Sequence, residues 1–442
     1  MRKCIPVFFT CLVVGFLLVL PDGYSQKPMC GDGILKSYLE RNYPEYFQLV
    51  NETFEEVKSR AIPPYRSQEV YTIPVVVHIV WKEEEENLHD SIVYNQIEVL
   101  NEDFRRLNAD ADNIRDIFLD RVGDPGIEFE LVEIVRVNTE AEFAISLLGL
   151  PDNVKQSSQG GSDAWNTESH LNIWVCQIQP LVVFGIPLGQ VLGFAYPPAG
   201  LDNWPDEASA PSPELDGVVV DYRIFGRNNP LTIDPGIGEP ISGYGRTTVH
   251  EIGHYLGLRH IWGDGGGLFG GDGCEVDDGV EDTPNQESSS EWTCDTSRNT
   301  CIDPVEDLPD MIENYMDYSL ETCMNSFTNG QIAIMRAVIE GPRNGLIAPT
   351  STVDDHLSSG VRIFPNPSES GVFNYRIHQG SDHPLAYRVY DQLGRLVNSG
   401  QGLSEAGHMD LSGLQSGIYF MRIYDSESMQ LVGSEKLIIG GH

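Results

Sequence analysis

The run HEIGHYLGLRH, from His250 to His260, holds the residue types and spacing best suited to chemistry in this chain. Histidines four apart share one helix face, so His250 and His254 can grip a single metal ion. Glu251 lies one residue round, able to polarise a metal-bound water without being a ligand. Gly257 has no side chain and can take the left-handed geometry that ends a helix. The chain can then turn back and bring His260 to the same ion. Three neutral imidazoles and an open position describe a catalytic zinc site, whereas a structural site closes all four positions. The rival is an ordinary amphipathic helix with core or surface histidines, and Gly257 with His260 argues against it.

The elements that must position this run can be read from patterning. VYTIPVVVHIVW over 70–81 is dense in β-branched residues, and IEFELVEIVRV (127–137) and LNIWVCQI (171–178) are further strands. Residues 91–108 place Ile92, Ile97, Leu100 and Phe104 at helical spacing, and TNGQIAIMRAVIEG (328–341) forms a last helix. The alternation predicts an α+β unit, a mixed sheet backed by helices. Residues 26–66 read as helical and polar, ending at AIPPYR, whose prolines stop a helix.

The 442 residues are enough for two or three domains. Residues 1–25 read as a secretory signal peptide, with Arg2 and Lys3 before an apolar run from Val7 to Leu20 and cleavage near Ser25. Cys30 lies too far beyond that run for a lipoprotein. No other segment approaches membrane-spanning length, so an exported, soluble protein is expected. The formal charge of −38, from 66 acidic and 28 basic residues, repels nucleic acid and anionic membranes and attracts cations and basic peptides. Two of the eight cysteines leave with the signal. Cys274, Cys294, Cys301 and Cys323 cluster near the histidine run, with three connectivities open. Cys176, in an apolar strand, reads as a buried thiol.

Downstream of the histidines lies Asn314-Tyr-Met-Asp-Tyr318. An extended histidine motif followed by a methionine turn resembles the metzincin metalloproteases. HEIGHYLGLRHIWGD, GCEVDDGVEDTP (273–284) and NYMDY together resemble the pappalysin family, in its smaller microbial branch, over roughly residues 70–345. The resemblance implies a metzincin catalytic domain with His250, His254 and His260 as zinc ligands and Glu251 as general base and acid. It also implies Tyr318 as hydroxyl donor to the oxyanion and Met316 beneath the histidines. It favours disulfides Cys274–Cys301 and Cys294–Cys323, and makes GQVLGFAYPP (189–198) the edge strand that pairs with an extended substrate. Protein or peptide substrates follow. Relatives in this branch favour a basic residue after the scissile bond, through acidic groups beyond the Met-turn. Only Glu321 remains in that stretch here, as easily a surface carboxylate, so a weakened preference for Arg or Lys is expected.

Two further groups stand out. GCEVDDGVEDTP gathers hard oxygens on a glycine-containing loop, which suits calcium. The resemblance points to Asp278, Asp282 and Thr283 as ligands, and the rival is a solvated acidic loop. Cys30, in MCGD, would make a latency device, because a thiolate is an excellent zinc ligand. Its rivals are a disulfide with Cys176 or a free terminal thiol. Residues 26–66 would then be a pro-segment, with Arg60 and Arg66 as cut points.

The catalytic domain is assigned to residues 67–345 and a linker to 346–360. From 361 to 442 short strands alternate with turn signals, a small all-β sandwich. Its pieces IFPNPSESGVF, VYDQLGRLV and MDLSGLQSGIYFMRI resemble the sorting domain recognised by the type IX secretion machinery, which implies export through the periplasm to the medium or the cell surface. The rival is a carbohydrate-binding or adhesive sandwich. The expected function is a secreted, latent zinc endopeptidase. The alternative is a catalytically silent, calcium-dependent surface binding or adhesion protein.

Overall fold

The computed structural model describes residues 28–31, 52, 55–59, 70–145, 149–183, 186–198, 209–233, 240–263, 274, 277–303, 306–347, 361–364, 368, 370–377, 385–391, 395–403, 406–425 and 431–440. The expected signal peptide, Arg60, Arg66, most of the pro-segment, Glu275 and most of the glycine-rich stretch 263–273 lie outside these residues.

The strands in chain order are β1 (Pro28–Cys30), β2 (Tyr71–Trp81), β3 (Ile127–Asn138), β4 (Phe143–Ala144), β5 (Leu171–Cys176), β6 (Ile178–Gln179), β7 (Leu181–Val183), β8 (Ile186–Ala195) and β9 (Val218–Asp221), then the short pair β10 (Thr232–Ile233) and β11 (Ile241–Ser242). Three helices matter for the site: α1 (Asp90–Asp103), α2 (Arg246–Tyr255) and α3 (Asn329–Glu340). The main sheet runs β1-β8-β9-β5-β2-β3. Strands β3, β2, β5 and β9 are mutually parallel, and β8 is antiparallel to β9. Strands β2, β5 and β9 are buried on both faces by helices and loops, so they read as nearly unbroken apolar runs such as VVVHIV in β2, whereas the edge strand β3 alternates with charged residues and is half-exposed.

Helix α1 covers one face, burying Ile92, Val93, Ile97, Val99 and Leu100. It stops at Asp103, short of the expected 108, because Arg106 takes a left-handed φ of 47° and Leu107 N–H turns back to the Glu102 carbonyl. Helix α3 opens at Thr328, which forms a reciprocal capping box with Gln331. The core beneath the sheet also takes in Val57 (2% exposed), from a helical turn at 55–59. Residues 28–30, expected to be helical, are instead a strand.

The C-terminal module has two antiparallel sheets. One joins β12 (Val361–Phe364), β13 (Val372–Ile377) and β16 (Ala406–Asp410). The other joins β15 (Leu396–Leu403), β14 (Leu385–Asp391), β17 (Gly417–Asp425) and β18 (Leu431–Ile439). Phe373, Val389, Met409, Met421 and Leu437 fill the space between them. This is an α+β catalytic unit followed by a small all-β sandwich.

Candidate active site

Helix α2 is buried along its whole length. Gly245 leads into it with φ +80°, a conformation only glycine takes freely, and offers no capping side chain. Gln96 of α1 holds that turn, donating to the Gly245 carbonyl at 2.9 Å. At the other end, Gly257 (φ +90°) reverses the chain, and Leu258 N–H bonds the Gly253 carbonyl at 2.9 Å. The reversal returns His260 to the face shared by His250 and His254. Within the helix, any Cβ at Gly253 would run into the Met316 sulfur, so the Met-turn packs directly under the histidines.

The imidazoles are oriented by backbone. Nδ1 of His250 lies 2.7 Å from the Tyr315 carbonyl, and Nδ1 of His254 lies 2.9 Å from that of Leu258. A carbonyl only accepts, so each Nδ1 carries the proton and each Nε2 presents a lone pair. The three Nε2 atoms, His260 included, face one another at 3.1–3.2 Å. Converging lone pairs repel unless a cation lies between them, and this spacing lets one zinc ion reach all three at its usual ~2.0–2.1 Å. The Cys30 sulfur joins them: the four ligand atoms lie within 4.8 Å of one another, the only such cluster of histidine, cysteine and carboxylate groups among the described residues. The donor set fits zinc.

Around this centre, Glu251 is fully buried beneath β8, where Gly193 makes room for it; a Cβ there would come within 2.7 Å of the Glu251 Cγ. Tyr318 lies beside His250 and His260, at ring separations of 5.5 and 4.9 Å. Trp262 stacks on His260 at 4.3 Å, 5° from parallel, and meets Tyr318 nearly edge-on at 4.8 Å. Strand β1 lies along the open edge of β8 in parallel register, Pro28 opposite Gln190 and Cys30 opposite Gly193. Its Cys30 N–H donates to the Tyr318 hydroxyl at 3.0 Å, and its sulfur lies 3.2 Å from Glu251 Oε2.

The disulfides are Cys274–Cys301 and Cys294–Cys323, which leave Cys30 and Cys176 as thiols. In the acidic loop, Asp278 is 1% exposed and accepts from the Thr283 hydroxyl at 2.7 Å and Val280 N–H at 3.0 Å. Burial outweighs these bonds and pushes its carboxyl up to about 8. Its Oδ2 has no hydrogen-bond partner among the described residues. A buried, half-satisfied carboxylate beside a hydroxyl suits a cation. Asp282 turns elsewhere, with Oδ2 accepting from Gly330 N–H at the start of α3.

Glu321 corrects an expectation. It is neither a surface carboxylate nor available to a substrate: it is 4% exposed and bonded to the first turn of α2. Patterning also missed Gln96, Arg246 and Trp262. The adjacency of Trp262 to His260 was the one available signal; the others act across long separations that leave no local pattern.

The fold and site together define a metzincin-like metalloprotease. Residues 240–340 match the peptidase family described as pregnancy-associated plasma protein-A, and residues 362–440 match the secretion system C-terminal sorting domain. A mirolysin structure with a bound compound is 37% identical, with a TM-score of 0.52, covering 64% of this chain and 97% of that one. A promirolysin mutant of Tannerella forsythia is 35% identical, with a TM-score of 0.58, covering 72% and 97%. An extracellular metalloprotease of Arthroderma benhamiae is 29% identical over 277 residues, 62% of this chain and 74% of that protein. The chain belongs to the pappalysin family of metalloproteases. It is a secreted metalloendopeptidase with a C-terminal sorting domain, and among its described residues no helix is long and apolar enough to cross a membrane.

Proposed function

We propose that the chain is made as a latent precursor of a zinc endopeptidase, with His250, His254 and His260 as ligands. The observation that carries this is the convergence of three Nε2 atoms at 3.1–3.2 Å beside Glu251 and Tyr318. Zinc held by three imidazoles supplies a Lewis acid and brings water to a pKa of about 7. Glu251, buried where no other carboxylate of the cluster competes, accepts the proton of the attacking water and passes it to the leaving amine. The Tyr318 hydroxyl donates to the developing oxyanion. The vacated edge of β8 takes the substrate as an added strand.

In the precursor, the Cys30 thiolate would complete the set of residues holding zinc, while its N–H engages the Tyr318 hydroxyl that the substrate's oxyanion would otherwise meet. The greater share of this chain matched by promirolysin, 72% against 64%, supports a pro-segment of shared shape. The proposed boundaries are signal peptide 1–25, pro-segment 26–66, catalytic domain 67–345, linker 346–360 and sorting domain 361–442, the last engaging the type IX machinery. Asp278 and Thr283 are the proposed calcium ligands, with Asp282 a weaker third. Preference for Arg or Lys after the scissile bond is proposed to be weak, because Glu321 has no acceptor to spare.

The test is cleavage of a mixed peptide library by the processed protein, beside Glu251→Ala and a zinc-chelated control. Cuts lost in both controls support the reading. A zinc-loaded wild type that cuts nothing refutes it and favours the silent binding protein.

A further inference from the structure

The N-terminus of α2 has a cap that its own sequence lacks. Glu321 Oε2 accepts from the N–H groups of Tyr244 and Arg246, the latter at 3.2 Å. Its Oε1 accepts from Thr247 N–H at 2.7 Å and from the Thr247 hydroxyl. Its backbone carbonyl accepts from Arg246 Nη1 at 2.9 Å, while the same guanidinium reaches Asp103 and Asp110. Four donors on two oxygens fill the acceptor sites of a carboxylate. The anion also sits at the positive end of the helix dipole, within the first turn where that field is strongest.

We propose that Glu321 is a positioning residue that holds Tyr318 in register with the zinc helix. For the role of Tyr318, this rests on the peptidase reading above. The two arms of the clamp are short. Tyr318 lies three residues before Glu321, and His250 lies three residues after Thr247. Cys323, two residues on, is tied to Cys294, so the capping segment is held from both sides. The distance between the oxyanion donor and the helix carrying base and ligands is therefore held on its C-terminal side by this one buried side chain, as the Tyr315 carbonyl on His250 and Met316 against Gly253 hold it on the other. Misplacement of about 1 Å in such a constellation costs on the order of 10²-fold in rate.

The experiment is a double-mutant cycle of Glu321→Gln and Tyr318→Phe in the full chain after processing, read by cleavage of a quenched fluorescent peptide. Gln keeps the volume but offers one acceptor in place of two and turns donors towards donors. Glu321→Gln is expected to lower kcat by roughly 10- to 100-fold with KM within about threefold. In the Tyr318→Phe background the same change should cost less than about threefold, because the donor it positions is gone. Equal losses in both backgrounds, or a kcat within about twofold of wild type, overturn the proposal. Amide exchange gives a readout independent of activity: the N–H groups of Arg246 and Thr247 should exchange at least tenfold faster in Glu321→Gln. Unchanged exchange overturns the clamp even if the wild type cleaves nothing, an outcome that by itself counts against the peptidase reading alone. Should Gln fail to fold, Glu321→Asp, which keeps both oxygens, is put through the same two measurements with the same criteria.

Discussion

Replacing both Cys294 and Cys323 by alanine opens a loop with a sequence separation of 29. In the chain-entropy account, closing such a loop removes about 12 cal/mol/K from the denatured ensemble, or roughly 3.6 kcal/mol at 25 °C. The Cys274–Cys301 bond overlaps it over residues 294–301, but the path from 294 to 323 still runs mainly through the free chain. The logarithm hardly notices the overlap, so the two bonds should contribute almost additively. For a catalytic domain of this size, melting entropy is about 0.6 kcal/mol/K, which converts the loss to a fall of roughly 6 °C in Tm. Urea unfolding of the processed enzyme is the assay, with zinc and calcium concentrations matched, since bound metal shifts apparent stability by mass action. A loss below about 1 kcal/mol with unchanged m-value would refute the argument. Activity adds a second reading. Tyr318 and Glu321 lie just before Cys323, so turnover at 25 °C should fall further than the folded fraction does; a loss matching the folded fraction would mean that the bond acts on stability alone.

Other outcomes follow from the same geometry. Glu251→Ala should retain metal yet lose at least about 10²-fold in turnover, and Tyr318→Phe should lose on the order of 10²–10³; activity within tenfold of wild type in either would remove that residue from the mechanism. Cys30→Ala in the unprocessed chain should abolish latency, giving cleavage before the pro-segment is removed; a variant as silent as the wild type would leave strand β1 alone as the inhibitor. Asp278 has a folded-state pKa of about 8 against an ordinary value of 3.8. With calcium chelated, the folded form therefore holds a proton that the unfolded form has lost between these limits. Stability should fall as pH rises from about 4 to 8, by at most roughly 6 kcal/mol. Asp278→Asn should flatten that slope, and so should added calcium; melts at pH 5 and 8 that coincide under chelation would rule it out.

The chemistry was legible where it is local. HEIGHYLGLRH contains helix, stop and third histidine within eleven residues, and Gly257 adopts the left-handed φ that turns the chain back. Long apolar strands such as Tyr71–Trp81 were equally plain, because burial on both faces leaves no polar positions to confuse the pattern. What stayed hidden acts at a distance. Glu321 reaches Thr247 across 74 residues and Gln96 reaches Gly245 across 149, and neither pairing leaves a periodic trace. Glu321 was misread for this reason: an acidic residue in a polar loop looks solvated until the helix end beside it is known. The end of α1 was placed late because Phe104 continues the apolar spacing, while the break depends on the backbone of Arg106. Strand β1 carries no strand signature at all, and its pairing is imposed by the edge it covers.

That covered edge bears on how the protein travels. Once β1 leaves, β8 presents unpaired N–H and C=O groups over Gln190–Gly193, beyond the half that β7 still covers, the kind of border that recruits strands from neighbouring chains. A sheet open enough to take up an extended peptide is by the same token open to another copy of itself. Crowded together during export, molecules with bare borders would be prone to stack through them. If the chain is exported as the proposed precursor, Pro28–Cys30 paired with Gln190–Gly193 keeps that margin satisfied on the way. On that proposal, one segment would guard against aggregation as well as against premature cutting.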